Sequence, residues 1–173
     1  MNTFAEILKF TLPSLITGGV IYLLLRTYLE NAQKQTLLNM KQESQKELMP
    51  IQLQAYERLV LYLERISVNN LVMRVSQQGM TARDLQNAMI KAIREELDHN
   101  LSQQLYVSDQ CWELVVNARE EMLKAINQTA SSLSEEAGAT DMAAALFSEI
   151  LKHKHTPVDI ALATLKNEMR ERF

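Results

Sequence analysis

A chain of 173 residues with only four glycines and three prolines is too poor in turn formers for the many reversals of an all-β fold. Its formal net charge of −3 gives no electrostatic basis for nucleic-acid binding, and its single cysteine, Cys111, excludes an internal disulfide or a cysteine zinc cluster. Leu, Ala, Gln, Glu, Met and Lys are plentiful and lose little rotamer freedom in a helix, so the expected fold class is all-α.

The first element is the stretch KFTLPSLITGGVIYLLLR, from Lys9 to Arg26, whose interior carries no formal charge. A cleaved secretion signal needs a basic start and a small-x-small cleavage site, whereas here Glu6 offsets Lys9 and Ala32 follows Glu30. A buried core helix is disfavoured because Leu12, Leu15, Ile16, Val20, Ile21, Leu23, Leu24 and Leu25 cover every face. The reading that remains is a single retained transmembrane helix. The uncharged run rises only about 24 Å against a core of about 30 Å. If Lys9 and Arg26 extend their charges to the two interfaces, the span counts from Ile7 to Leu29 and reaches about 34 Å. Tyr22 and Tyr28 fit the far interface, and Pro13 marks a helix start or kink. Ser14 and Gly18, with Gly19 beside them, form a small-residue pair that would let two such helices approach. Cations are sparse before the span and follow it at Arg26, Lys34, Lys41 and Lys46, which places the N-terminus outside and the bulk of the chain in the cytosol.

Residues 27–49 contain neither Gly nor Pro and read as a solvated helical stalk, without a sustained heptad and ending before Pro50. The expected organisation is therefore an anchor over 1–26, a stalk over 27–49 and a cytosolic bundle of about five helices over 50–173. The bundle opens with a helix over 51–77 in which YERL (56–59) is echoed by LERI (63–66). Tyr56, Leu59, Tyr62, Leu63, Ile66, Asn70 and Met73 follow three-and-four spacing along it, and this broad apolar face is either the packed face of a central helix or the candidate docking surface. Mid-helix Asn69 and Asn70 imply a bend or a hydrogen bond within the bundle, and Gly79 a stop.

Thr81 with Asp84 forms a near capping box, after which Leu85, Met89, Ile93, Leu97, Leu101 and Leu105 step by four. Ser108 or Asp109 caps a helix running to about Leu133, and residues 131–140 read as a loop. Thr140 or Asp141 starts a short helix. HTPVD then places Thr156 as a cap, Pro157 at the first helical position and Asp159 near the positive helix end.

Signals for chemistry are weak. Glu96 and His99 share a helix face at Glu-x-x-His spacing, but a carboxylate-bridged di-metal bundle needs a second such motif, and Glu149 and His153 stand one residue too far apart. His153 and His155 suit the favourable end of a helix dipole. Cys111 without a placed base reads as a small buried side chain. Phosphate-cradling glycine loops are absent.

The segments LQAYERLVLYLERI, LVMRV, MTARDLQ and EELDHNLSQQLYVS, with ILKFTLP in the anchor, resemble a family of short bacterial membrane-anchored helical proteins known as a domain of unknown function. The resemblance covers most of residues 5–125 and thins out after about 130. It supports the anchor-plus-helices layout and a bacterial inner-membrane location, and it brings no catalytic residue and no known partner to carry over. The expected function is a membrane-tethered interaction or scaffold module without catalysis or cofactor, whose partners are the membrane and either itself or another helical protein. Two alternatives stand beside it. One is a bundle metalloenzyme using Glu96, His99 and Glu57 or Glu64. The other is a stalk-like accessory subunit of a larger membrane complex, which the breaks at Pro50, Gly79 and Gly138 disfavour.

Overall fold

The computed structural model of the chain describes residues 3–152 and 154–172, and the side chains in those ranges except at residues 3–10 and 12. Among the described residues six α-helices follow in order: α1 Thr3–Ile66, α2 Val68–Val75, α3 Ala82–Asp98, α4 Asp109–Ser131, α5 Ala139–Leu151 and α6 Pro157–Arg172. A 3-10 segment, Leu101–Leu105, joins α3 to α4. The chain divides into two compact units, Met1–Met49 and Pro50–Phe173.

In the first unit every described side chain is exposed. Among the described residues no helix is long and apolar enough to cross a membrane. The expected span is thus unsupported at the length it requires. That length counted from Ile7, and the side chains of Lys9, the expected outer cation, and of its neighbours through Phe10, with that of Leu12, lie outside those described. The uncharged run from Pro13 to Leu25 rises only about 20 Å.

The expected stop before Pro50 is also corrected, because helical geometry continues through it to Ile66. Proline removes one backbone donor, and on this exposed stretch the freed Lys46 carbonyl is left to solvent. The break falls instead at Ser67, which takes an extended ψ of 142° and divides the expected 51–77 helix in two. The Glu64 carbonyl at the end of α1 accepts from Ser67 Oγ at 2.7 Å and from Asn70 Nδ2 at 2.8 Å. Short polar side chains here satisfy carbonyls that a continuous helix would have used. Gly79, at φ +86°, supplies the left-handed residue of the following turn.

The second unit packs α2 to α6 around the last turns of α1. Leu59, Tyr62, Leu63 and Ile66 meet Leu71, Leu85, Met89, Ile93, Val115, Ile126, Met142, Leu146 and Leu165 in a single core. The ladder on α3 stays buried only through Leu97. Leu101 and Leu105 lie in the 3-10 segment and are exposed, because the helix ends at His99 and Asn100 Nδ2 donates to the Glu96 carbonyl. The N-termini of α3 and α5 are tied by an antiparallel bridge, Ala82 N–H to Ala137 O at 2.9 Å and Ala139 N–H to Met80 O at 3.1 Å. α5 starts at Ala139, where the Asp141 carboxylate accepts from the Gly138 N–H. Thr156 and Asp159 cap α6 reciprocally, at 2.9 and 3.1 Å.

Candidate functional site

The expected docking face is mostly core. Tyr56, Leu59, Tyr62, Leu63 and Ile66 are at most 2% exposed and are covered by this chain's own helices. Of that face only Asn70 and Met73 reach the surface. Three-and-four spacing fits a core stripe and a docking stripe equally well, and packing decides between them.

The apolar surface left open lies instead on α1. From Leu15 to Leu25 the large side chains are half exposed or more, with Leu15 at 74% and Leu24 at 65%. Gly18 and Gly19 face open space. The hydroxyls of this stretch are satisfied inside the helix, where Ser14 donates to the Thr11 carbonyl, Thr17 to Pro13 and Thr27 to Leu23 at 2.7–2.9 Å. In an apolar medium a hydroxyl needs such a partner. Tyr22 and Tyr28 are exposed, and Arg26 Nε pairs with Glu30 Oε1 at 3.0 Å.

Two carboxylates organise the polar contacts of the second unit. Glu96 accepts from Arg65 at 2.6 Å and from Arg74 at 3.1 Å, joining α1, α2 and α3, while His99 Nδ1 lies 2.5 Å from the Glu95 carbonyl. Glu96 is thus committed to two arginines, and Glu57 and Glu64 point to solvent. Glu149 pairs with Lys152, and His153 lies outside the described residues. Among the described residues no three His, Cys, Asp or Glu side chains are grouped to hold a metal.

The second carboxylate, Glu168 on α6, escaped the sequence reading. Its Oε1 accepts from the Tyr56 hydroxyl at 2.5 Å and from the Ser108 N–H at 3.0 Å, and Arg172 lies 3.0 Å away. Its Oε2 accepts from the Ser108 hydroxyl, which also caps α4. Burial pushes the Glu168 carboxyl up, but hydrogen bonds from Cys111, Ser108 and Tyr56 outweigh it and hold the carboxyl down at about 2. The same contacts act oppositely on the donors. Burial and the Glu168 carboxylate push the Cys111 thiol up to about 11 and raise the Tyr56 phenol. A thiol held protonated is a poor nucleophile, so the cluster serves as a clamp between α1, α4 and α6. The sequence hints were Ser108 as a cap and Glu168 four residues before Arg172; the Tyr56 contact left no local trace.

The Tyr62 hydroxyl, deep in the core, has no hydrogen-bond partner among the described residues, and burial raises its phenol. A groove of about 850 Å³ runs between the α1–α2 break and the α5–α6 corner, floored by Val68, Phe147 and Leu162 and rimmed by Asn70 and Leu151.

Fold and side chains together define an all-helical protein with a compact bundle and a helical N-terminal unit whose described apolar side chains are uncovered. The family model described as a family of unknown function (DUF7935) matches residues 2–172, and the chain belongs to that family. The match extends well beyond residue 130, where the resemblance read from the sequence thinned out. No curated protein and no solved structure matches the chain.

Proposed function

We propose that this protein is a non-catalytic interaction or scaffold module tethered to a membrane through the N-terminal part of α1. The observation that carries the reading is the uncovered apolar surface from Leu15 to Leu29 on a helix whose hydroxyls are internally satisfied. Apolar surface on this scale calls for lipid or a partner helix. Flanking cations orient the tether with its N-terminus outside and the bundle on the cytosolic face of a bacterial inner membrane. The bundle then presents its surface to a second helical protein. Alkaline extraction of membranes tests the tether. The full-length chain should stay in the pellet, and Leu23→Lys with Leu24→Lys should release it; a wild-type chain found in the supernatant refutes the reading. A reporter active only outside the cytoplasm, fused after Phe173, should be silent.

One observation favours a second reading, a stalk-like accessory subunit of a larger membrane complex. Of the breaks that stood against it, that at Pro50 is absent, since helical geometry runs through it to Ile66, while those at Gly79 and Gly138 stand. Co-purification of a stoichiometric multi-subunit assembly from native membranes would select this reading over a free-standing module.

A further inference from the structure

We infer that a second copy of this chain packs parallel along one stripe of α1 that runs from Leu15 through the stalk to Leu48. The inference takes up the tethered-module reading by naming a partner for the same helix. Arg26, Leu37 and Leu48 stand eleven residues apart, as do Gly18, Leu29 and Met40, and Tyr22, Gln33 and Ser44 continue that spacing between them. Eleven residues make about three helical turns, so these positions stay on one face, and a period of about 3.67 residues keeps two such faces together over a long contact. This is why a heptad count finds no coiled coil here. Leu29, Leu37, Met40 and Leu48 are 47–61% exposed, and nothing among the described residues of the first unit covers them.

Size and charge argue for a second copy in this direction. The stripe from Leu15 to Leu48 is about 50 Å long and a helix about 10 Å wide, so a pair would bury on the order of 1,000 Å², the lower end of specific interfaces. Lys34 and Lys41 lie on one flank of the stripe and Glu43 and Glu47 on the other. Glu30, on the basic flank, is already bonded to Arg26. An antiparallel partner would set the lysine flank against itself, whereas a parallel copy sets it against the glutamate flank.

The test uses the full-length chain with a cysteine at Ser44, on the stripe, or at Gln42, about 160° around the helix. Cys111 is buried and common to both variants. After mild oxidation in intact cells, Ser44→Cys should give several-fold more disulfide-linked dimer than Gln42→Cys, because only a facing pair brings the sulfurs within bonding distance. Equal yields, or no dimer from Ser44→Cys, overturn the inference. Fractionating the same cells separates the two readings. A soluble chain that still crosslinks through residue 44 refutes the tether and keeps the dimer, and a membrane-bound chain without that preference refutes the dimer alone.

Discussion

Replacing Glu168 by glutamine removes the charge from the clamp while keeping its size. In the folded protein burial pushes the carboxyl up, but hydrogen bonds from Cys111, Ser108 and Tyr56 outweigh it and hold it at about 2 against an ordinary 4.5. Its side chain is 16% exposed, so solvent screening is limited. A depression of that size corresponds to about 3 kcal/mol favouring the folded state at neutral pH. The sign follows from the direction of the shift. A carboxyl depressed by folding stabilises fully above its unfolded value of 4.5, and that stabilisation disappears as pH falls toward 2. The assay is urea unfolding followed by fluorescence of Trp112, the chain's single tryptophan, which sits in α4 and reports on the bundle alone. At pH 7 Glu168→Gln should lose about 2–3 kcal/mol, and at pH 2.5 the gap from wild type should shrink to about 1 kcal/mol or less. A gap of equal size at both pH values would show that glutamine disturbs packing, and the clamp argument would fail.

Tyr62→Phe deletes a buried hydroxyl that has no partner among the described residues. It should leave the bundle as stable as wild type or up to about 1 kcal/mol more stable by the same urea assay, and a loss above that magnitude would reveal a partner for the hydroxyl. Leu63→Ala should cost roughly 2–5 kcal/mol because Leu63 is fully buried, while Met73→Ala on the open surface should change stability by less than about 0.5 kcal/mol. Equal effects at the two positions would return the 56–73 face to the status of a docking surface.

Local chemistry was legible wherever a few neighbouring residues suffice. The caps at Thr81, Ser108 and Thr156 and the starts of α3, α4 and α6 follow from side chains that reach their own backbone within three residues. Pro50 misled because proline ends a helix only on average, and an exposed helix tolerates the missing donor. Asn69 and Asn70 signalled a bend or a hydrogen bond, but its place at Ser67 was not legible, because Asn70 folds back on the Glu64 carbonyl only once the chain has already turned.

Helical content and the positions of apolar stripes were set by the sequence itself, since side-chain rotamer freedom, capping and the 3.6-residue period act within a turn or two. Which stripe becomes core was decided only in three dimensions. Tyr56 to Ile66 and Leu29 to Leu48 carry apolar residues at similar intervals, yet the first is enclosed by α2 to α6 and the second stands open. Glu168 depended on tertiary structure most of all. Its neighbours Tyr56 and Ser108 lie 112 and 60 residues away along the chain. No local pattern encodes such a meeting, and only packing α6 against α1 and the start of α4 brings the donors to one carboxylate.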